Sequence, residues 1–495
     1  MQEERVELQK SLSPLQVWAL ALGCIIGWGC FILPGVNFLP NAGPIAAFIG
    51  FMIGGLLLVF VALSYGKMIE NYPVAGGEFA YAYAGFGPTA SFICGWALVL
   101  GYLCIIALNG TALALLSRFM LPGVFEWGAL YEIAGWQVYT GELLLVSAVL
   151  LAFGIANYRG VDFAGSAQLI LAVLLVGGVV VLAGASLISE SGSIDNLRPF
   201  FNETRAPLAS VAAIVAIAPW LYVGFDTVPQ AAEEFDFSPK KATKLMIIAI
   251  LLGSFFYGVV TIAVAYVMPY KEMLALDPVW ATGFIAEKTM GKAGAVVLAI
   301  AVLAAICTGI NGFYIATTRL IFGMARANFL PSWFGKVHDK YGTPHNAVLF
   351  TIALVLVAPW FGREALDWVV SMSAVGTVIA YAFTSLAAYK FMRANPQLQG
   401  SKRSQIIAII GTLSSLFCLG LLTIPGSPAQ IAIESWYALI VWGSMGVIFF
   451  MTKKSTIYGM SVQECSYRIL GAEDKPVFFG DNEVATSGKV AVSED

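Results

Sequence analysis

The sequence predicts an all-α integral membrane protein with twelve transmembrane helices. Of its 495 residues, 59% are hydrophobic and only 12% are charged, whereas a soluble domain carries about 25% charged residues. The chain also contains eleven stretches without Asp, Glu, Lys or Arg, most of them near the length that one bilayer crossing requires. The first stretch, residues 11–66, holds two helices separated by Pro34, Pro40 and Pro44, which brings the total to twelve.

The remaining spans follow from these stretches in chain order. They cover residues 79–117, 143–158, 163–189, 206–225, 245–270, 293–318, 341–362, 368–389, 404–433 and 435–452. Residues 1–14 form a cytoplasmic N-terminus and residues 15–454 the twelve-helix domain. From residue 455 the apolar pattern stops and acidic and polar residues dominate, so we expect residues 455–495 to be a flexible cytoplasmic tail.

Charge predicts the orientation and excludes several classes of protein. Of the 27 Lys and Arg residues, 20 fall on the side of both termini, which places those termini in the cytoplasm, on a multi-pass protein of the plasma or inner membrane. The net charge of −3 and the lack of a basic patch argue against nucleic acid. The two His and seven Cys show no zinc or disulfide spacing, so we expect no metal, no cofactor and no linked partner subunit.

Helices 1 and 6 both contain sequences that interrupt a helix. Residues 23–31 place three Gly within seven positions, and each Gly costs roughly 1 kcal/mol of helix stability. Residues 218–229 contain two Pro, one Gly and Asp226. Close helix packing is the alternative explanation for the glycines, but the same irregularity recurs five helices later. This spacing predicts a five-plus-five inverted repeat (helices 1–5 and 6–10), two extra C-terminal helices and a substrate site at the breaks.

Unwound backbone at the two breaks predicts the chemistry of that site. Free N–H groups from Trp28 to Phe31 would bind a carboxylate. Free carbonyl groups from Pro219 to Val223 would accept hydrogen bonds from an ammonium group. Together these groups predict recognition of an amino acid backbone.

Four segments, in chain order, carry a specific resemblance. They read GWGCFI at 27–32, PVAGGEFAY at 73–81, GFD at 224–226 with AAEE at 231–234, and TRLIFGMAR at 318–326 followed by LP at 330–331 and YGTP at 341–344. They resemble the G-x-G-I/V-F, P-x-x-G-G-x-Y-x-Y, G-F-[DE] with AAEE, and S-R-L-x-x-A-M-A-R-D-G-x-L-P motifs of the amino acid-polyamine-organocation (APC) superfamily of permeases. The resemblance implies a secondary active transporter that works by alternating access.

The breaks and the resemblance select the candidate site residues. The substrate-binding candidates are Ile26, Gly27, Trp28, Gly29, Cys30, Asn109, Pro219, Trp220, Tyr222, Gly224 and Asn311. The candidates for coupling and gating are Asp226, Trp220, Glu233, Glu234 and Thr308. The resemblance assigns Trp220 as an aromatic gate over the substrate.

The acidic candidates each have two interpretations. An ionisable group at an intramembrane break is costly, so Asp226 either carries a proton or controls opening of helix 6, or else it satisfies loosened backbone N–H groups. Glu233 and Glu234 either pair with Lys240, Lys241 and Lys244 to close the inner side, or are solvated charges at the interface.

Coupling and substrate are the finer predictions. Helix 5, from Gln168 to Val176, lacks the Lys that proton-coupled members often carry. Three mechanisms remain open: a proton on Asp226, exchange without an ion, or sodium held by helix 1 carbonyls near Cys24 and the hydroxyl of Thr308. Residues 96–102 contain no acid to pair with a distal cation, which favours a neutral, hydrophobic or aromatic L-amino acid.

Other classes of function remain as alternatives. A small amine such as ethanolamine, or a polyamine, would use Asp226 as its counter-ion. A membrane enzyme would need a catalytic cluster that the scarce buried acids do not provide. A sensor would need a signalling domain, whereas the tail is short, and an ATP-driven pump would need the G-x-x-x-x-G-K-[ST] motif, which is absent.

Overall fold

A computed structural model of the chain describes residues 5–276, 278, 280–362, 366–395, 401–427 and 430–479. Nearly all of this part is helical. The helices are α1 (Pro14–Ile25), α2 (Gly29–Leu33), α3 (Leu39–Ala42), α4 (Pro44–Asn71), α5 (Gly77–Phe86), α6 (Pro88–Met120), α7 (Thr140–Arg159), α8 (Val161–Ile188), α9 (Pro207–Leu221), α10 (Thr227–Gln230), α11 (Lys240–Val267), α12 (Tyr270–Ala275), α13 (Ala281–Arg326), α14 (His345–Val355), α15 (Leu366–Ala394), α16 (Lys402–Thr423), α17 (Ile433–Gly459) and α18 (Val462–Leu470). Short 3₁₀ turns lie at Ile194–Leu197, Ala232–Glu234, Ser332–Gly335 and Ala358–Phe361, and a π-helical turn at Pro34–Phe38.

The helices have the lengths and composition of a multi-pass membrane protein. Within the described residues, ten helices are long and apolar enough to cross a membrane. Two shorter apolar helical segments, Pro207–Leu221 and His345–Phe361, correspond to the predicted helices 6 and 9. Large apolar side chains on α17, such as Ile440 and Val447, are exposed, as expected of a surface that faces lipid. The predicted count of twelve is reached when the two shorter segments also cross.

A β-hairpin departs from the all-α prediction. Strands β1 (Ala129–Ile133) and β2 (Trp136–Tyr139) pair antiparallel between α6 and α7. The two residues between them, Ala134 and Gly135, both have positive φ, which is the backbone of the tight turn that suits a two-residue hairpin. The segment carries too few apolar residues in a row to signal a span, and its turn lacks the Asn-Gly or Asp-Gly sequence that marks many hairpins.

Both predicted helix interruptions are confirmed. Helix 1 stops at Ile25 and resumes at Gly29, and helix 6 stops at Leu221 and resumes at Thr227. The first part of helix 1 lies against the second part of helix 6, because α1 contacts α10. Pro219 lies inside α9 rather than at the break itself. The chain therefore brings its two irregular segments together in the middle of the bundle.

The C-terminal region folds further than expected. Instead of a flexible tail from residue 455, α17 continues to Gly459, and α18 follows with Cys465 and Ile469 buried. Beyond α18 the chain packs on the bundle, where the Phe478 amide donates to the Ala84 carbonyl at 2.7 Å. The alternation of apolar and polar residues on α18 gives it one buried face, which compositional reasoning about the tail overlooked. Residues 480–495 lie outside the described residues.

Candidate substrate and coupling site

The break in helix 1 leaves two glycine amides without partners. Ile26 leaves helical geometry (φ −85°, ψ 55°) while its amide still donates to the Leu22 carbonyl at 2.9 Å. The amides of Cys30 and Phe31 donate back to Gly27 and Trp28, at 3.1 and 3.0 Å. Within the described chain, the Gly27 and Gly29 amides donate no hydrogen bond. The free N–H groups are therefore shifted toward the N-terminus from the predicted stretch, because α2 begins with tight turns that use the later amides.

The break in helix 6 packs directly on helix 1. Gly224 has φ +142°, and a Cβ there would lie 2.6 Å from the carbonyl carbon of Cys24, so only glycine fits this approach. The carbonyl groups of Leu221 and Val223 accept no hydrogen bond from the described residues. Tyr222 points the other way, and its hydroxyl donates to the Phe51 carbonyl at 2.8 Å.

The two breaks enclose one small cavity. Its volume is about 40 Å³, enough for about three water molecules. It is lined by Cys24, Ile25, Gly27, Trp28, Gly29, Ile105, Leu108, Asn109, Trp220, Leu221, Val223, Tyr257 and Phe313. None of these thirteen described residues is acidic or basic. The cavity therefore presents an apolar, uncharged wall with backbone polar groups at both breaks.

The cavity contains some of the predicted substrate-binding residues and not others. Gly27, Trp28, Gly29, Asn109 and Trp220 line it. The other candidates, Ile26, Cys30, Pro219, Tyr222, Gly224 and Asn311, lie outside its lining. Only one face of a helix borders a cavity. Residues next in sequence to a lining residue therefore point to other faces of the helix.

Three features make the lining suited to a small polar ligand. A Cβ placed on Gly27 would meet no atom within 4 Å, so this glycine borders open space. The Trp220 ring lies 3.7 Å from the Cβ position of Gly29, next to the break. The Asn109 side chain donates to the Ile105 carbonyl at 2.8 Å while its Oδ1 is buried without a partner. That oxygen lies next to Gly309 of α13 and is an acceptor without a donor.

Sequence reasoning missed cavity-lining residues on α6, α11 and α13. Ile105 and Leu108 share the face of α6 that carries Asn109, at helical spacing, so the periodicity around Asn109 could have identified them. Tyr257 on α11 and Phe313 on α13 have no local signal, because only the packing of distant helices brings them to the cavity.

The region proposed for sodium is occupied by hydrogen-bond donors. The Thr308 hydroxyl donates to the Gly23 carbonyl at 2.9 Å, and the Gln168 amide donates to the Thr308 carbonyl at 3.2 Å. Asn311, expected to bind substrate, instead donates to Gln168 and accepts from Asn157. The carbonyl oxygens of Gly23 and Thr308 therefore each accept a hydrogen bond in this arrangement. This network ties helices 1, 5 and 8 together.

Asp226 is fully buried and held by three donors. Its Oδ1 accepts from the Gly224 amide at 2.7 Å and from the Tyr381 hydroxyl at 3.2 Å. Its Oδ2 accepts from the Tyr102 hydroxyl at 2.9 Å. Both interpretations of Asp226 have a basis here, since one bond satisfies a loosened backbone amide and two reach side chains on α6 and α15. Tyr102 and Tyr381 carried no sequence signal.

Glu233 and Glu234 pair with arginines on helix 8 rather than with the predicted lysines. Glu233 contacts Arg326 at 2.8 Å and Arg5 at 3.2 Å. Glu234 forms a bidentate pair with the fully buried Arg319, at 2.8 and 3.1 Å. We call these five residues the inner network.

The lysines at the start of α11 do not pair with Glu233 or Glu234 in the described chain. Lys240 pairs with Glu70 at 3.5 Å, while Lys241 and Lys244 form no ion pair in the described chain. Of the two interpretations, the structure shows ion pairing at Glu233 and Glu234, with arginines as the partners instead of the expected lysines.

The inner network extends to the backbone of two further segments. The Leu8 and Ala75 amides donate to Glu233 at 2.9 and 3.0 Å. Burial by itself would raise the pKa of Glu233, but Arg326, Arg5 and these hydrogen bonds outweigh it and lower that pKa to about 2. Glu233 is therefore an anion at neutral pH that joins the N-terminal segment, the α4–α5 connection and α13.

Comparison with known proteins identifies the family. The sequence profile of the amino acid permease family matches residues 12–445. Similar proteins include a methylthioribose transporter of Bacillus subtilis, 26% identical over 92% of this chain and 96% of its own. A branched-chain amino acid permease of the same organism is 26% identical over 90% and 92%. A low-affinity putrescine importer of Escherichia coli is 23% identical over 90% and 94%. With helices interrupted where the family motifs lie, the chain belongs to the amino acid permease family of the APC superfamily.

Proposed function

We propose that the protein imports a neutral L-amino acid across the cytoplasmic membrane by alternating access, coupled to a proton. The observation that carries this proposal is the cavity at the two helix breaks, where unpaired backbone groups face an uncharged wall. We propose further that the protein has twelve spans, with helices 1–5 and 6–10 forming an inverted repeat, and that both of its termini are cytoplasmic. Alternating access requires such a site between two halves that can tilt against each other.

The polar groups of the cavity support recognition of an amino acid backbone. The Gly27 and Gly29 amides are placed to donate to a carboxylate. Across the break, the carbonyls of Leu221 and Val223 and the Oδ1 of Asn109 are available to accept from an ammonium group. A zwitterion uses both sets at once, and each net hydrogen bond to a charged group contributes about 1.5–3 kcal/mol.

The wall of the cavity supports a neutral substrate side chain. Trp28, Ile105, Leu108, Trp220 and Phe313 would contact it. A distal cation would lose its hydration without gaining a counter-charge, because none of the described lining residues is acidic. The branched-chain specificity of one relative fits this wall, whereas the putrescine specificity of another would require an acid that this lining lacks.

A proton is a better candidate for the coupling ion than sodium. The carbonyls of helices 1 and 8 that would bind sodium accept hydrogen bonds from Thr308 and Gln168. A buried carboxylate, Asp226, lies in the break that also contributes Val223 to the cavity. Its protonation state is thereby coupled to the conformation of helix 6.

Uptake into proteoliposomes tests the proposal. Labelled leucine, phenylalanine, arginine, putrescine and ethanolamine are supplied outside, each with no gradient, with acid outside or with sodium outside. We expect concentrative uptake of leucine or phenylalanine with acid outside and none from sodium. Flux only against preloaded substrate would identify an exchanger, and uptake restricted to the amines would overturn the carboxylate site.

A further inference from the structure

A second buried acid lies close to Asp226. Glu78 lies in the first turn of α5, a short helix in the connection between the spans α4 and α6, and is fully buried. The two carboxyl groups interact electrostatically. Gln230, one helical turn after Asp226, donates a hydrogen bond to Oε2 of Glu78 and so links the two acids through α10. We call Glu78 and Asp226 the acid pair.

The two acids have unequal hydrogen-bond environments. Asp226 accepts from one amide and two hydroxyl groups, which satisfies an ionised carboxylate. Glu78 accepts a hydrogen bond from the Gln230 side chain at Oε2, while its Oε1 is buried without a well-aligned partner. An ionised carboxylate with an unpaired oxygen is costly when buried. A protonated one is not, since its O–H is a donor that needs only one acceptor.

Acceptors for that proton surround Glu78. The Tyr65 hydroxyl on α4 interacts with the Glu78 carboxyl and forms no well-aligned hydrogen bond in the described chain. The Tyr81 hydroxyl and the Oε1 of Gln230 are also buried without partners. Unpaired polar atoms of this kind are rare in folded proteins and call for an explanation. A protonated Glu78 would supply a donor to one of these oxygens.

The groups facing Glu78 add negative charge or none. The ionisable side chains that interact with it are Asp226, Tyr65 on α4, Tyr81 on α5, Cys94 and Tyr102 on α6, and Tyr381 on α15. Six of the cations on the elements around α5 have other partners. Five form ion pairs: Lys67 with Glu70, Arg118 with Glu142, Arg319 with Glu234, Arg326 with Glu233 and Arg468 with Glu464. The sixth, Lys390, donates to the Gly85 and Phe478 carbonyls. Burial raises the pKa of Glu78 well above its usual range, and the neighbouring Asp226 raises it further.

Glu78 also lies at a contact that must break when the inner side opens. A Cβ on the preceding Gly77 would lie 3.0 Å from the backbone of Pro229, so α5 packs closely on α10. The same connection donates the Ala75 amide to Glu233 of the inner network. Tilting of helix 6 away from α5 would separate Gln230 from Glu78 and expose the acid to cytoplasmic water.

We propose that the acid pair carries a single proton, held on Glu78 while the inner side is closed and released to the cytoplasm when α5 and α10 separate. This proposal rests on the proposed proton-coupled transport and moves the proton carrier from Asp226 to Glu78. One proton enters the pair with each substrate and one leaves, so the cycle is balanced. Asp226 stays ionised and moves with helix 6, so its electrostatic effect on Glu78 depends on the position of that helix.

Infrared spectroscopy of the purified full-length protein tests the location of the proton without requiring transport. We expect a protonated carboxyl band at neutral pH, shifted in D₂O, that is absent from Glu78→Gln and present in Asp226→Asn. Glu70→Gln, an acid on the same side with cationic partners, is the matched control and keeps the band. Tyr65→Phe should retain the band at a shifted frequency, which provides a second variant. A band that persists in Glu78→Gln would overturn the proposal.

Transport assays then separate this inference from the proposed function. In Glu78→Gln proteoliposomes we expect substrate exchange within twofold of wild type, with substrate-linked proton entry and gradient-driven accumulation reduced at least tenfold. Full proton coupling in this variant would overturn the inference and leave the proposed function intact. Wild-type protein that moves no amino acid would contradict the proposed function, while the infrared band would still report whether Glu78 holds a proton.

Discussion

Gly27 shows how a single residue shapes the substrate site. It borders the cavity, its amide is unpaired, and a Cβ there would contact nothing within 4 Å. A side chain at this position would therefore fit the folded protein and take up space that the substrate needs. Gly29 differs, because a Cβ there would lie 3.1 Å from Leu33 and disturb packing as well.

We expect Gly27→Val to raise the KM for a neutral amino acid by about tenfold or more, corresponding to at least ~1.4 kcal/mol. The physical reason is steric exclusion at the break, so the thermal unfolding temperature without substrate should change little. Equilibrium binding and uptake measure the effect. The matched control is Gly177→Val on α8, where a Cβ also meets nothing within 4 Å and which does not line this cavity. Unchanged affinity in Gly27→Val would contradict the assignment of the cavity.

The inner network acts at the scale of elements. Glu233 joins the N-terminal segment, the α4–α5 connection and helix 8, and Glu234 joins helix 6 to helix 8 through Arg319. Its side chains are nearly or fully buried, so these pairs are not weak surface bridges. Removing one partner leaves a buried charge without compensation, at a cost of about 3–5 kcal/mol. We therefore expect the network to hold the inner side closed.

The stability that Glu233 provides should depend on pH in a defined direction. Its pKa in the folded protein, about 2, lies below the ordinary value of 4.5. The contribution, on the order of 3 kcal/mol, is thus fully present above about pH 5 and is lost as the pH falls toward 2. We expect Glu233→Gln to lower the unfolding temperature strongly at pH 7, with a difference from wild type that shrinks below about pH 4.5.

Thermal unfolding in detergent across this pH range measures the difference. Glu464→Gln is the matched control, because its pair with Arg468 is partly exposed and should contribute at most about 1 kcal/mol. A Glu233→Gln protein as stable as wild type at pH 7 would show that the network does not hold the inner side closed.

At the scale of the whole molecule, described segments near the two ends of the chain pack against the bundle on the same side. The Arg5 amide donates to the Tyr467 hydroxyl at 3.2 Å, so the N-terminal segment touches α18. The Tyr72 hydroxyl donates to the Pro476 carbonyl at 2.6 Å, and Lys475 donates to the Asn71 carbonyl at 2.8 Å. Segments far apart in sequence therefore meet around the α4–α5 connection that carries Glu78.

We expect truncation after Gly459 to destabilise the closed conformation by at least ~2 kcal/mol. The chain would lose α18 and several hydrogen bonds worth about 1 kcal/mol each. Thermal unfolding and labelling of a single cysteine introduced at Val74, which is buried, measure this loss. A truncation that removes only residues 480–495 provides the comparison. Equal labelling in both proteins would contradict a role for α18 in closing the inner side.

The sequence by itself determined the features that depend on local chemistry. Long apolar stretches require helices in lipid, because an unpaired backbone group there is costly. Glycine and proline weaken a helix where they stand, so the breaks at residues 26–28 and 222–226 could be located without the fold. Gly27 and Gly29 were identified as parts of the cavity for the same reason, whereas the family resemblance indicated Trp220.

Only the tertiary structure decided the features that depend on distant contacts. Arg319 and Arg326 replace the nearby lysines as partners of Glu233 and Glu234, and Glu78 lies beside Asp226, because helices 6 and 8 and the α4–α5 connection pack together. The apolar face of α18 becomes meaningful only when the bundle offers a surface to cover it. Helix propensity and helix breaking act within a few residues, whereas ion pairs and burial arise only when the chain brings remote residues within a few ångströms.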